Sequence, residues 1–292
     1  MIKKILYLPV RLIAILAGFV CVVNIPILFV FNSGNKEVEF HFSSYKYYVL
    51  DNLALFLHYN DYSYIFHYFK GEGMEKYAYT MTILSISLLL VVFIGVIAAT
   101  AIMMLPHTFR KRISSFIDFT ITAPDLLIIF LLQYMVIYFY KTFDVKLFQL
   151  YGGNHTEPYF MPIIISFFVP AIFLIQFLLK EMAVEEQQDY VLFLRAKGLP
   201  KSVIYIKHII RNIFPLVLIH LQTIIWFLLS NIIVVEYLFN IHGFAEVLRS
   251  MYGQRAEAFI LGFLLFAVPI IMANLIAYIV LKLRKRKEKV SV

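Results

Sequence analysis

The chain has 292 residues, of which 62% are hydrophobic and 15% charged, and its net charge is +8. A soluble protein is nearer half apolar and a quarter charged, so this composition excludes a single soluble domain. The single cysteine, Cys21, also excludes an internal disulfide framework.

Long apolar stretches determine the predicted fold. Several exceed the roughly 18 residues that a bilayer crossing needs, which predicts an all-α, polytopic membrane protein with six transmembrane helices. The first stretch lacks a small-residue cleavage site, so we expect it to stay as a helix and not to be removed as a signal peptide. The predicted spans are Ile5–Phe31, Tyr77–Leu105, Phe116–Tyr140, Tyr159–Leu179, Phe214–Val235 and Ala258–Leu281.

These spans divide the chain into three regions. Residues 1–76 hold the first transmembrane helix and an aromatic-rich outer loop, residues 77–281 form the transmembrane core, and residues 282–292 form a basic cytoplasmic tail. Tyrosine at the density of the outer loop is typical of a layer at headgroup level or of a small packed cap. A contact surface for an extracytoplasmic partner is the alternative.

The distribution of charge predicts the orientation. If the N-terminus is inside, the inner segments carry 18 of the 26 Lys and Arg residues, and the outer loops carry 11 of the 18 acids. Basic residues near span ends resist translocation, so both termini are predicted to be inside, in a multi-pass protein of the cytoplasmic (inner) membrane. The basic excess is a topology signal, and the tail is predicted to contact solvent or membrane lipid and no nucleic acid.

Motifs for catalysis or metal binding do not stand out in the sequence. It contains no Gly-x-x-x-x-Gly-Lys-[Ser/Thr] phosphate loop and no Ser-His-Asp set, so the chain is predicted not to be an enzyme and to need no cofactor. Three histidines of the outer loop lack metal-ligand spacing, and no metal site is predicted.

The segment from Lys180 to Arg211 differs from the rest of the chain. It begins acidic, becomes amphipathic from Tyr190, and then reaches Gly198 and Pro200, which is the usual chemistry of a helix stop. Apolar residues at helical intervals follow and lead into the fifth span. The pattern predicts a short helix, a sharp break and a second helix on the cytoplasmic side.

Two interpretations of this loop compete. An amphipathic helix can lie on lipid headgroups, but the acidic N-terminal half fits poorly with a negatively charged inner leaflet. Docking into a groove on a soluble partner fits better, with Tyr190, Val191, Phe193 and Leu194 as the apolar seat.

At this point the residues resemble a known family. Asp189-Tyr190-Val191 and Arg195-Ala196-Lys197-Gly198-Leu199, with His208 and Arg211-Asn212 downstream, resemble the conserved loop of ABC importer permeases of the dipeptide, oligopeptide and nickel class. A second match comprises Leu228-Leu229-Ser230, Val234-Val235-Glu236, Phe239 and Gly243. Weaker matches are Thr80, Gly95 and Pro124. Together they cover roughly residues 50 to 281.

The resemblance implies the type I ABC importer permease fold, in which the 180–213 loop forms a coupling helix. It implies a second homologous permease subunit, two cytoplasmic ABC ATPases, an extracytoplasmic substrate-binding protein, and import of peptides or a related small solute. The residues it assigns to ATPase coupling are Asp189, Tyr190, Val191, Arg195, Ala196, Lys197, Gly198, His208 and Arg211. Those it assigns to the outer gate or pathway are Asn231, Glu236, Phe239 and Gly243.

Several positions depart from the family pattern. Leu194 replaces an expected alanine, Pro215 lies one residue early, and Asn231, His242 and Ala245 replace Gly, Pro and Gly. The Gly-Asp-Pro element that normally follows the first span is missing. These changes leave the expected fold unaltered, but they weaken any inference of this chain's substrate from those of the family.

Polar residues inside the spans usually face the protein interior or a water-filled path. Simple hydrogen bonding between helices is the alternative interpretation for most of them. Asp125 is the most costly of the set, and we place it with the pathway residues, paired with a basic group of this or a partner permease. An ATPase-independent secondary carrier or channel is the alternative function, although the sequence lacks an inverted repeat or a selectivity filter.

Overall fold

The computed structural model describes residues 14, 17–32, 37–55, 69–143, 157–254 and 256–290. These residues are mostly helical, which confirms the all-α, polytopic membrane class. Residues 5–13 and 15–16 of the predicted first span lie outside the described residues. Five of the described helices are long and apolar enough to cross a membrane: Lys70–Met104, Asp125–Phe143, Phe160–Glu185, Lys201–Leu238 and Phe259–Leu283.

One compact unit consists of Met1–Lys76 with Val247–Leu265. Its first described helix, α1, covers residues 17–23 and passes into a 3₁₀ turn at Ile25–Leu28, which contains Pro26. The predicted end of the first span at Phe31 is therefore wrong, because proline lacks the N–H that would continue the helix and the chain then becomes extended.

That extended chain forms a β-hairpin, which the all-α prediction did not include. Strands β1 (Phe29–Asn32) and β2 (Glu37–Phe40) pair antiparallel, with Phe29 opposite Phe40 and Asn32 opposite Glu37. Helix α2 (Phe42–Leu55) follows, and Asn52 Nδ2 donates to Asn24 Oδ1 at 3.1 Å. This buried amide pair connects α2 to the end of α1. Cys21 packs, partly buried, against the small core formed by Val20, Val49 and Ile260.

The second compact unit consists of Tyr77–Glu246 with Phe266–Val292. The other helices of the described residues are α3 (Met74–Met104), α4 (His107–Thr122), α5 (Asp125–Phe143), α6 (Phe160–Glu185), α7 (Asp189–Ala196), α8 (Lys201–Leu238), α9 (Phe244–Gln254) and α10 (Ala256–Val290). Helix α6 packs along α8 and also contacts α4 and α5. A Cβ atom at Gly95 of α3 would lie 2.8 Å from Leu174 Cδ2 of α6, so the missing side chain permits close helix packing there.

The predicted third span, Phe116–Tyr140, is wrong at its start. The structure places Phe116 in α4, a separate amphipathic helix, and begins the membrane-length helix at Asp125. Between them Ala123 is extended, with φ −71° and ψ 140°. Pro124 explains the break, because the ring of a proline disfavours helical dihedrals at the preceding residue.

Helix α8 has 38 residues, which at 1.5 Å per residue corresponds to about 57 Å. Its first turns include a π-helical stretch, Ile204–Ile209, and Pro215 lies inside it. The two groups of predicted site residues lie at or near its opposite ends.

Candidate functional site

The 180–213 loop contains the short helix, break and second helix that the sequence predicts. Helix α7 ends in a Schellman arrangement: Leu199 N–H donates to Leu194 O at 3.3 Å, and Gly198 N–H donates to Arg195 O at 2.9 Å. Gly198 has φ +77°, a left-handed conformation that glycine adopts at little cost. The turn between α7 and α8 is thus fixed by backbone hydrogen bonds.

Helix α7 has one buried face and one exposed face. Val191 is fully buried, so the structure turns it inward and not toward a partner seat, whereas Leu192 and Phe193 are exposed by 52% and 59%. Lys197 Nζ lies 4.4 Å from the centroid of the Phe193 ring. We call the exposed residues Leu192, Phe193, Ala196, Lys197 and Gly198 the loop face.

Two other predicted coupling residues are held by the chain itself. Arg195 pairs with Glu186, which also accepts a hydrogen bond from Arg110 Nη1 of α4 at 3.0 Å. The Tyr190 hydroxyl donates to Glu185 Oε1 at 2.7 Å, and Asn212 Nδ2 of α8 reaches the same oxygen at 3.0 Å. Arg195 and Tyr190 therefore hold α7 against the end of α6.

This environment shifts two pKa values. Burial raises the pKa of Glu186, but hydrogen bonds from Arg110, Arg195 and Tyr205 oppose it, and the net pKa lies below its usual value. Burial, followed by the hydrogen bond to Glu185, raises the pKa of Tyr190 to about 12. At neutral pH Glu186 is therefore an anion and Tyr190 remains a neutral donor.

The remaining predicted coupling residues lie at the start of α7 and in the first turns of α8. Asp189 is the exposed first residue of α7, where its carboxylate lies at the positive end of the helix dipole. His208 is half-buried in the π-helical stretch of α8, and Arg211 is exposed just beyond it.

At the other end of α8, Glu236 is buried, with 2% of its surface exposed. Thr80 Oγ1 of α3 donates to Glu236 Oε1 at 2.5 Å, and the Ala245 N–H donates to Oε2 at 2.9 Å. Phe244 N–H in turn donates to Thr80 Oγ1 at 2.9 Å. The carboxylate and the hydroxyl therefore satisfy the first N–H groups of α9.

Gly243 completes this arrangement by its lack of a side chain. A Cβ atom there would lie 2.1–2.4 Å from the carboxylate atoms of Glu236, closer than atoms can approach. Glu236 and Gly243, which the sequence places in the same motif, are thus in direct contact through the carboxylate and the backbone.

The other predicted gate residues differ in their placement. Phe239 is buried after the end of α8. Asn231 is buried in α8, and its Nδ2 atom has no hydrogen-bond partner among the described residues. Asp125 is the first residue of the membrane-length helix α5, directly after the Pro124 break, and not deep inside a span as predicted. It lies on a different helix from the Glu236 group.

Several contacting residues were not predicted as site residues. Glu185 and Glu186 are two acids at the C-terminus of a helix, where the dipole disfavours negative charge, and that signal in the sequence indicates partners for both. The pair formed by His242 Nδ1 and Glu157 Oε1, 2.7 Å apart, joins residues far apart in sequence and has no local signal. Within the described residues, no group of three His, Cys, Asp or Glu side chains could hold a metal ion.

These features define a multi-pass helical membrane protein with a short, firmly held helix between two long ones. Residues 91–289 match the family described as binding-protein-dependent transport system inner membrane component. The chain belongs to this family.

The chain is also similar to the dipeptide transport system permease protein DppB of Lactococcus lactis subsp. cremoris (strain MG1363), with 29% identity over 147 residues. The matched segment covers 50% of this chain and 45% of the relative, so the chain matches about half the length of that protein.

Proposed function

We propose that this chain is a non-catalytic permease subunit of an ABC importer for peptides or a related small solute. Two separate ATPases would bind the 180–213 loop, a second homologous permease would complete the pathway, and an extracytoplasmic protein would deliver the substrate. The family membership and the name of the lactococcal relative support this class of function.

The loop face is the observation that carries the proposal. An isolated apolar pair, Leu192 and Phe193, is exposed on a short helix whose remaining contacts fix it to the chain. A rigid helix presenting an aromatic anchor is a usual mode of docking into a groove on a protein partner. A helix lying on lipid would need no such fixation.

The orientation and location belong to the same proposal. We infer six spans in the cytoplasmic membrane with both termini inside, which places the loop face in the cytoplasm, where ATP is available. The Glu236 group then lies toward the outer side and is proposed to stabilise the outer gate.

Replacing Phe193 by Ala tests the docking. Hot-spot aromatics contribute about 2 kcal/mol or more at protein interfaces, so recovery of the ATPases with the purified, tagged chain is expected to fall sharply. Phe116→Ala is the matched control, since Phe116 is exposed by 69% on α4. Equal recovery of ATPase with both variants would contradict the proposed docking surface.

Transport assays test the function as a whole. Charge or bulk at Ala196 or Gly198 is expected to uncouple ATP hydrolysis from peptide uptake without unfolding the spans. A preparation of the chain that transports solute without any ATPase would refute the proposal and favour a secondary carrier.

A further inference from the structure

The C-terminus of α6 carries two adjacent acids, Glu185 and Glu186, although the helix dipole is unfavourable to negative charge there. Such a pair is stable only if other groups compensate for the charges. The compensating groups here come from three other helices, and that distribution is the basis of the inference.

Glu186 uses both carboxylate oxygens on different elements. Oε2 accepts a hydrogen bond from Arg110 of α4, and Oε1 accepts one from Arg195 of α7. Tyr205, in the π-helical stretch of α8, lies close enough to Glu186 to help lower the pKa of its carboxyl. The Glu186 side chain is 20% exposed and Arg110 is 25% exposed, so solvent only partly screens these charges.

Glu185 adds a second connection between the same helices. Its Oε1 atom accepts hydrogen bonds from Tyr190 near the start of α7 and from Asn212 of α8. Helix α7 is thus attached near both ends, through Tyr190 and Arg195. The loop face stays exposed on the side of the helix that faces away from these contacts.

We propose that Glu186 is a positioning residue that fixes α7 to α4 and α8, so that movement imposed on the loop face is transmitted to the transmembrane helices. This inference rests on the proposed function, because the movement would come from a bound ATPase. A charged group that bonds α4 and α7 and lies against Tyr205 of α8 resists their separation, whereas a single backbone hinge would let α7 move alone.

Transmission can be measured without knowing the substrate. Tyr237, 69% exposed at the far end of α8, is replaced by Cys in a Cys21→Ala background, and the full complex with its ATPases is purified. The probe is the rate of maleimide labelling at position 237 with and without Mg-ATP and vanadate. Hydrolysis and ATPase recovery are measured on the same preparations.

In the parent complex nucleotide is expected to change the labelling rate. Glu186→Gln should retain the bound ATPase and its hydrolysis but reduce the nucleotide-dependent change at least about fivefold, the lower end of coupling between distant sites. Glu181→Gln is the matched control, an acid of the same helix with the same change of charge. Glu186→Asp keeps the charge and should retain part of the response that Glu186→Gln loses.

The outcomes separate the two proposals. If the parent chain recovers no ATPase, the proposed function fails. If it recovers ATPase and Glu186→Gln responds to nucleotide as the parent does, the inference alone fails. If Glu186→Gln does not fold, Arg110→Gln decides: it removes the 3.0 Å hydrogen bond to Glu186 Oε2, and an unchanged response in that variant overturns the inference.

Discussion

At the level of single residues, the contact between Gly243 and Glu236 gives a sharp prediction. Gly243→Ala would place a Cβ atom 2.1 Å from the Glu236 carboxyl carbon, so the carboxylate must leave its site. Its donors, Thr80 and the Ala245 N–H, then lose their partner, which costs about 1–3 kcal/mol for buried groups. Thermal unfolding of the purified chain in detergent measures the loss.

Gly18→Ala is the control for this substitution. A Cβ atom at Gly18 meets no atom within 4 Å, and the helical backbone there accepts alanine. The melting temperature of this variant should not fall, because alanine is favoured over glycine in a helix. Similar losses in both variants would show that the Glu236 contact is not the cause.

Asn231 predicts an effect of the opposite sign. Its buried Nδ2 atom has no partner among the described residues, and an unsatisfied buried donor is costly. Asn231→Leu, similar in volume, should leave the melting temperature of the isolated chain unchanged or higher. If transport by the full complex falls while stability does not, the Asn231 amide serves the pathway. A lower melting temperature of the isolated Asn231→Leu chain would contradict the lack of a partner for this amide.

At the level of the elements, the contacts of Glu186 predict how the attachment of α7 depends on pH. The pKa of this carboxyl is lowered in the folded chain, so its stabilisation is complete above the ordinary value of about 4.3 and is lost as the pH falls further. Glu186→Gln should lower the free energy of unfolding by about 1 kcal/mol at pH 7, since solvent screens part of the interaction. The difference in melting temperature from the parent should shrink as the pH falls below about 4.3. A difference that is constant with pH would show that Glu186 is not stabilised as an anion.

Predictability from sequence also differs between elements. Hydropathy located the membrane-length helices, and Gly198 with Pro200 located the end of α7, because both signals are local. The break before Asp125 was also encoded locally, in Pro124, but the continuous apolar pattern around it concealed the break. Two residues that lie beside Glu186 are distant from it in sequence: Arg110 is 76 residues before it and Tyr205 is 19 residues after it. Only tertiary packing brings them together.

At the level of the whole molecule, α8 connects the two sites. Tyr205 and Glu236 lie 31 residues apart on it, which corresponds to about 46 Å along a helix axis. Near one end Asn212 donates to Glu185 and Tyr205 lies beside Glu186; near the other end Glu236 accepts a hydrogen bond from Thr80 of α3. A single helix bound at both ends is a direct physical connection between the proposed docking loop and the proposed gate.

That connection requires the two ends of α8 to lie on opposite sides of the membrane, which predicts a labelling pattern. In a Cys21→Ala background, Lys197→Cys on the loop face should react with a membrane-impermeant maleimide only after the cells are opened. Tyr237→Cys should react in intact cells, because the orientation proposed from the basic residues has the loop inside and the other end of α8 outside. Both side chains are exposed, so burial within the chain would not prevent the reaction. Labelling of Lys197→Cys in intact cells would reverse the orientation and exclude an ATPase on the loop face.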